Sequence, residues 1–186
     1  MKRFFRTFKP ALICFVVLTL ICGVIYPLIL TGIAQIFPGK STGSVITVTL
    51  ADGTKKEYGS ALIGQEFTKP EYLIGRPMEV SNFSPVSDEQ KDLIKERTDW
   101  WHSFDPDNTA DIPADLLTAS GSGADPYISP AAAEYQAERI AKARNMGVDD
   151  VRNIIDKYTS GRLLGIWGEP YVNVLKVNLA LDGLLK

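Results

Sequence analysis

The longest apolar run in the chain covers residues 11–37 and contains no Asp, Glu, Lys, Arg or His. A helix rises about 1.5 Å per residue, so a helix of this length exceeds the ~30 Å hydrocarbon core of a bilayer. The pattern therefore predicts one membrane-spanning helix. A short basic tail at residues 1–10 precedes it, and a single polar domain at residues 38–186 follows it.

A cleaved signal peptide begins with a similar pattern, but its apolar region is usually about 7–15 residues long. The run here is nearly twice that length, and its best small-x-small sequence, at residues 32–34, lies inside the run. We therefore expect an uncleaved, single-pass anchor. Basic residues concentrate before the span, which predicts a cytoplasmic N-terminus and an extracytoplasmic domain.

Two residues of the span affect how helices pack. Gly23 would let another helix approach closely, and Pro27 removes one backbone hydrogen bond, which neighbouring helices can compensate. Glycine and proline are also more frequent in membrane helices in general, so the sequence leaves a partner contact at these positions open.

Beyond the span, several segments have the alternation of strands. Residues 45–50 are rich in β-branched side chains and predict a strand that ends at a turn at residues 52–53. Residues 72–77 predict a second, shorter strand that ends at Gly and Pro. The segment at residues 171–182 alternates with period two towards its end, which favours a strand, although a helix remains the alternative.

Three other segments predict helices. Ser87 begins the first with a capping-box pattern. Its aromatic stripe at residues 100–104 favours buried packing, and a membrane-interface or partner surface is the alternative. A Ser-Pro pair at residues 129–130 begins the second, which we expect to end at Gly147. Residues 148–158 predict the third. The expected fold class is α+β, with a single N-terminal transmembrane helix followed by one extracytoplasmic α+β domain.

The composition limits the kinds of catalytic, metal and cofactor site that the chain could form. The formal net charge of −2 gives no indication of a nucleic-acid partner, and both cysteines, Cys14 and Cys22, lie inside the span. The sequence contains one histidine, His102, and no serine-hydrolase elbow, zinc, Walker or dinucleotide signature. We therefore assign no catalytic residue, no metal site and no cofactor of the chain's own.

Two loops invite comparison with ligand sites. The acidic loop at residues 105–111 matches the first positions of an EF-hand, but Ala110 and Leu116 stand where Gly and Glu are needed. A solvated acidic turn is the better interpretation. The Ser-Gly-Ser-Gly loop at residues 120–123 could form a backbone nest for an anion, although no Lys follows at P-loop spacing. This loop supports an alternative function, a membrane-anchored extracytoplasmic ligand-binding module.

Three stretches resemble the characteristic sequences of one family. They are Ile-Pro-Ala-Asp-Leu-Leu-Thr-Ala-Ser-Gly-Ser-Gly-Ala-Asp-Pro at 112–126 with Ile-Ser-Pro at 128–130, Gly-Glu-Pro at 168–170 with Val-Asn-Val-Leu at 172–175 and Asn-Leu-Ala-Leu-Asp at 178–182, and Gly64-Gln65 with Arg76-Pro77. Together they are similar to the C subunits of Kdp-type potassium-transporting P-type ATPases. The chain departs from that pattern at residues 78–104, where the family usually has a Ser/Gly/Asn-rich segment, and at Ala124 and Tyr127, where Leu and His are common.

The resemblance implies a non-catalytic accessory subunit of a high-affinity, ATP-driven potassium importer in the cell membrane. It implies three partners, namely a potassium-selecting subunit, a P-type ATPase subunit and a small single-helix subunit. It also implies a catalytic chaperone that raises the ATP affinity of the ATPase subunit, so that ATP could be bound in the complex. The candidate assembly residues are Gly23, Pro27, Ser120, Gly121, Ser122, Gly123, Asp125, Pro126, Gly168, Glu169, Pro170 and Asn173.

Overall fold

A computed structural model describes residues 2–79 and 83–185, without the side chains of residues 2–5. Residues 80–82, part of the segment that departs from the family pattern, lie outside the described residues. The chain divides into two compact units, Met1–Val45 and Ile46–Lys186.

The first unit is helical over most of its length. Helix α1 covers Lys2–Leu20, a π-helical stretch covers Ile21–Ile25, α2 covers Tyr26–Ala34 and a short helix, α3, covers Pro38–Ser41. Arg6–Ala34 is long and apolar enough to cross a membrane, and none of it is buried within the protein. The helical segment thus begins inside the basic tail and ends three residues before Phe37; the membrane limits at residues 11–37 stay a prediction.

The π-helical stretch has a cause in the sequence. Pro27 has no N–H group to donate to the carbonyl one turn earlier, and its ring crowds that carbonyl. The preceding residues Ile21–Ile25 take the wider π-helical turn, and Gly23 lies at their centre. Proline and π-bulges are the usual causes of irregularity in long helices, and here they occur together.

The second unit begins with a two-stranded sheet of β1, Val45–Thr49, and β2, Lys55–Ser60. The turn between them is the predicted one. The Leu50 N–H donates to the Thr54 carbonyl at 2.8 Å, and the Thr54 N–H donates to the Asp52 carboxylate at 2.9 Å. Gly53 has φ +83°, a conformation that glycine adopts without a steric penalty.

In the rest of the unit, the described residues form six helices and a second sheet. The helices are α4 at Asp88–Phe104, α5 at Ala114–Leu117, α6 at Pro130–Tyr135, α7 at Ala137–Arg144, α8 at Val148–Lys157 and α9 at Val174–Leu181. In the antiparallel sheet the central strand β5, Tyr171–Asn173, lies between β3, Tyr127–Ile128, and β4, Thr159–Ser160. The α+β fold class is therefore confirmed.

The predicted N-caps are confirmed, but one helix end is not. The hydroxyls of Ser87 and Ser129 accept hydrogen bonds from the N–H groups three residues later, at 3.3 and 3.1 Å. The helix that begins after Ser129 is divided at Gln136 and ends at Arg144 instead of at Gly147. Asn145 closes it in the left-handed conformation, φ 57°, which asparagine tolerates.

Of the segment at residues 171–182, Tyr171–Asn173 is a strand and Val174–Leu181 is a helix. The strand that the alternation favoured is therefore wrong from residue 174 onwards, where the alternative was right. Asn173 caps α9 by accepting from the Lys176 N–H at 3.0 Å. The helix is buried over most of its surface, as the side chains of Val174, Leu175, Val177, Asn178, Leu179 and Leu181 show. A helix with so little exposed face has no clear helical period, and the remaining alternation imitated a strand.

The prediction of a strand at residues 72–77 was also wrong, for a different reason. Two side-chain amides take the place of a neighbouring strand. Leu73 donates to Asn178 Oδ1 at 2.8 Å and accepts from Asn178 Nδ2 at 2.9 Å. Ile74 donates to Gln136 Oε1 at 2.8 Å and accepts from Gln136 Nε2 at 3.0 Å. Leu73, Gln136 and Asn178 are almost completely buried.

Arg139 of α7 adds hydrogen bonds to the residues just before Leu73 and to Gln136. Its guanidinium donates to the carbonyls of Pro70 and Tyr72 and to Gln136 Oε1, and it lies 5.0 Å from the centre of the Phe104 ring. Burial lowers the pKa of Arg139 to about 10. That value is far above neutrality, so the side chain stays positively charged and keeps all of its donors.

We expect Asn178→Leu to destabilise the second unit by about 2–4 kcal/mol, because it leaves a buried N–H and a buried carbonyl of Leu73 unpaired. Chemical unfolding of the full chain, followed by tryptophan fluorescence, would measure this loss. Asn153→Leu is the matched control, since Asn153 is exposed on α8. Equal stability of the two variants would contradict the structural role given to Asn178.

Candidate functional site

The three stretches that carry the family resemblance meet in the second unit. The Gly64 N–H donates to the Ala124 carbonyl at 2.7 Å, and the Val174 N–H donates to the Pro126 carbonyl at 3.1 Å. Asn173 Nδ2 donates to the Ala61 carbonyl at 2.9 Å. We call residues 61–65, 74–78, 115–129 and 169–175 the motif cluster.

Gly64 lies where two loops of the motif cluster approach each other closely. A Cβ atom at this position would lie 2.8 Å from the Asp125 carbonyl oxygen and 3.1 Å from the Ala124 carbonyl carbon. Both are backbone atoms, which cannot turn away as the end of a side chain can. Only glycine therefore allows the two loops to approach this closely.

Arg76 connects two of the stretches by its side chain. Its Nη2 donates to the Thr118 carbonyl at 3.3 Å, and its Nη1 lies 4.0 Å from Asp125 Oδ2. Its Nε is buried and has no hydrogen-bond partner among the residues that the structure describes. The guanidinium thus holds the loop at residues 118–125 while one of its donors remains unused.

Two aspartates bind the backbone of residues 127–129, which include β3. Asp125 Oδ1 accepts from the Tyr127 N–H at 3.0 Å. Asp115 accepts from the N–H of Ser129 at 2.6 Å and from its hydroxyl at 3.2 Å, and that hydroxyl caps α6. Asp115 was missed as a site residue, because its partner lies 14 positions away and no local pattern predicts the contact.

Two of the cavities that the described residues form beside the motif cluster are open to solvent and contain charged side chains. One, of about 250 Å³, has a charged wall that includes Arg76, Asp115, Asp125 and Glu169. The other, of about 540 Å³, has an aromatic wall of Phe67, Trp100 and Trp101 beside Arg76 and Arg97. Within residues 2–79 and 83–185, no group of three or more His, Cys, Asp or Glu side chains could hold a metal ion. The charged groups of these cavities could hold polar or ionic partners.

The loop at residues 120–123 uses part of its own hydrogen-bonding capacity. The Gly123 N–H donates to the Ser120 carbonyl at 3.1 Å, and the Ala124 N–H donates to the Ser122 hydroxyl at 3.2 Å. Ser122 Oγ also lies 3.2 Å from Ser120 Oγ, while Gly121 and Ser122 are exposed. Two N–H groups that an anion nest would need are therefore directed at the loop itself.

The acidic loop at residues 105–111 contacts a neighbouring helix. Asp107 accepts from Lys142 of α7 at 2.6 Å, and Asn108 donates to the Tyr135 carbonyl at 2.8 Å. The hydrogen bond and the charge of Lys142 lower the pKa of Asp107 below its usual range, and the same contact raises the pKa of Lys142. The loop is thus held by an exposed ion pair and by a hydrogen bond from the side-chain amide of Asn108.

The remaining candidate assembly residues lie in three places. Gly168, with φ +81°, and Glu169 are exposed, and Glu169 pairs with Arg162 at 3.0 Å. Pro126 and Asn173 are buried within the motif cluster, and Pro170 borders its smaller cavity. Gly23 and Pro27 belong to the first unit. The structure therefore places the candidates at residues 120–126 and 169–173 in the motif cluster, and their roles in assembly stay predictions.

Comparison with known families identifies the family to which this arrangement belongs. The family model described as KdpC, K+-transporting ATPase, c chain, matches residues 8–183. The chain belongs to the KdpC family. The potassium-transporting ATPase KdpC subunit of Listeria monocytogenes is 55% identical over 99% of both chains. The corresponding subunit of Clostridium perfringens is 47% identical over 97% of this chain and 99% of its own, and that of Clostridium botulinum is 47% identical over the full length of both. The resemblance seen in the motifs is confirmed.

We expect Gly64→Ala to destabilise the protein by about 1–3 kcal/mol, since the new methyl group would press on the backbone of residues 124–125. Gly121→Ala is the matched control in a neighbouring loop, because a Cβ atom there meets nothing within 4 Å. Chemical unfolding of both variants in the full chain would compare them. A loss of stability in Gly121→Ala equal to that in Gly64→Ala would contradict the close approach.

Proposed function

We propose that the chain is a non-catalytic accessory subunit of an ATP-driven potassium importer, and that it stabilises the assembled complex. The observation that carries the proposal is the family match over residues 8–183, which includes both the membrane helix and the second unit. The proposed partners are a potassium-selecting subunit, a P-type ATPase subunit and a small single-helix subunit. The relatives at 47–55% identity are themselves named as subunits of a potassium-transporting ATPase.

The distribution of charge supports a cytoplasmic N-terminus and an extracytoplasmic domain. Lys2, Arg3, Arg6 and Lys9 precede the apolar run, whereas Lys40 is the single basic residue between the run and Lys55. Basic residues near a membrane helix are retained on the cytoplasmic side. We therefore place the N-terminus inside the cell and residues 46–186 outside it.

This orientation constrains how the chain could raise ATP affinity in the ATPase subunit. ATP is hydrolysed on the cytoplasmic side, so a domain outside the membrane would have to act at a distance. Such an effect requires that the bound chain favours one conformation of the partner over another. In our proposal the chain supplies that bias through its contacts with the complex and needs no nucleotide site of its own.

One observation favours the alternative, a membrane-anchored ligand-binding module. The cavity of about 540 Å³ beside Trp100, Trp101, Arg76 and Arg97 falls within the size range of small-molecule sites, roughly 300–1,000 Å³. In the accessory-subunit proposal the same cavity would face a partner or remain filled with water. The two functions differ in whether the chain works without partner subunits.

Co-expression with the proposed partner subunits tests the proposal. The complex is purified through a tag on this chain, and potassium-stimulated ATP hydrolysis is compared with that of partners prepared without the chain. We expect the partners to co-purify, the activity to depend on the chain, and the ATP concentration for half-maximal activity to rise when the chain is absent. Partners that work alone and fail to co-purify would overturn the proposal and favour the ligand-binding module.

The span offers a second test. We expect Gly23→Leu to reduce the recovery of partner subunits, because a large side chain would hold a neighbouring helix away. A Cβ atom at position 23 meets no described residue of the first unit within 4 Å, so the substitution should leave the fold intact. Val24→Leu is the control, since it enlarges an adjacent side chain that is already bulky. Unchanged recovery with Gly23→Leu would exclude a tight helix contact at this position.

A further inference from the structure

An exposed apolar loop connects β4 to β5. It covers residues 162–168, and we call it the apolar hairpin. Four large apolar side chains are mostly exposed there, namely Leu163 at 71%, Leu164 at 85%, Ile166 at 76% and Trp167 at 70%. Scattered apolar residues are normal on a protein surface, but four within five positions form a patch that suggests an interaction site.

The apolar hairpin has a shape that its own backbone maintains. Leu163 and Trp167 exchange two backbone hydrogen bonds, at 2.8 and 3.0 Å, and the Gly165 N–H donates to the Arg162 carbonyl at 3.0 Å. Leu164 has φ +53°, where asparagine or glycine would be more usual. A leucine at this position therefore exposes an apolar side chain at the turn of the apolar hairpin. The patch is therefore already formed and need not be ordered by binding.

The charges around the apolar hairpin indicate what kind of surface it fits. Arg162 pairs with Glu169 at its base, at 3.0 Å, and no charged residue lies between them. Residues 1–45 hold five of the 20 basic residues and none of the 22 acidic ones, so residues 46–186 carry a formal net charge of −7. An anionic lipid surface repels such a domain, and membrane-binding loops usually add basic residues that are missing here. A neutral, apolar protein surface is the better match.

We infer that the apolar hairpin inserts into an apolar crevice on another subunit of the potassium-transporting ATPase. The inference rests on the proposed function, which supplies the partner subunits. Leu164, Ile166 and Trp167 would be the buried anchors, and the Arg162–Glu169 pair would lie at the polar rim. Binding energy at protein interfaces is concentrated in a few such side chains, and tryptophan is enriched among them.

A triple variant, Leu164→Asn, Ile166→Thr and Trp167→Thr, removes three of the four exposed apolar side chains and leaves Leu163 in place. Asparagine tolerates the left-handed conformation of Leu164. Threonine replaces Ile166 in the turn and Trp167 at the bridge by a smaller, polar side chain. After co-expression, tag purification and a dilution step, we expect partner recovery to fall by about tenfold or more. Val86→Thr, which alters a side chain that is 78% exposed elsewhere, should leave recovery unchanged. The thermal unfolding midpoint of the triple variant should match that of the natural chain, because the loop is exposed.

A photo-crosslinking residue identifies the surface that the tip contacts. Benzoylphenylalanine in place of Ile166, in the full chain within the purified complex, should give an adduct with a partner polypeptide. An adduct with lipid alone, or with a second copy of this chain, would overturn the inference. If the natural chain recovers no partners, the proposed function itself fails. If the natural chain and the triple variant recover them equally and no polypeptide adduct forms, only the role of the apolar hairpin fails.

Discussion

The buried amides of Gln136 and Asn178 hold the second unit together at its centre. Each amide pairs with one residue of the extended segment at residues 72–77. It donates to the carbonyl of that residue and accepts from its N–H, as the backbone of a neighbouring strand would. The Gln136 amide is fully used, since it also donates to the Ala132 carbonyl and accepts from Arg139. Arg139 is bonded through its two terminal nitrogens, while its buried Nε has no hydrogen-bond partner among the described residues. In a low-dielectric interior the two amides are stabilising because they leave the N–H and carbonyl groups of Leu73 and Ile74 paired. The extended segment is therefore fixed to α9 and to the junction of α6 and α7.

The motif cluster depends on that constraint. Residues 73–74, which the amides hold, lead directly to Gly75 and Arg76, and Arg76 then contacts the loop at residues 118–125. On the other side of the cluster, Asn173 caps α9 with its Oδ1 and donates to the Ala61 carbonyl with its Nδ2. Helix α9 thus carries one of the central amides and also borders the cluster. A substitution of either buried amide would therefore shift the position of Arg76, although neither amide contacts Arg76 directly.

Local signals explain which parts of the fold the sequence predicted. The strand at residues 45–49 and the caps at Ser87 and Ser129 follow from neighbouring residues alone, and all three are confirmed. The errors arose where distant residues decide the structure. The segment at residues 72–77 is satisfied by amides 62 and 105 positions away, and no alternation pattern contains that information.

The candidate site shows the same division between local and distant information. The family resemblance identified the stretches that form the motif cluster, but it did not give the contacts between them. The approach of Gly64 to Asp125, the bonds of Asp115 to Ser129 and the reach of Arg76 to Thr118 all join residues that are far apart in sequence. Glycine, aspartate and serine are common in loops, so their presence gives no indication of which distant residue each one contacts.

Burial separates two roles among the residues that the family resemblance singled out. Pro126 and Asn173 are buried, and their polar groups bond within the unit, so their first role is to hold the loops of the motif cluster together. Residues of this kind can affect assembly only by shaping the surface above them. In the proposed complex, direct contact with another subunit would fall to exposed groups. The exposed apolar side chains that follow β4 lie immediately before the Gly-Glu-Pro stretch. The stretch at residues 168–173 thus connects a buried framework on one side to a free apolar surface on the other.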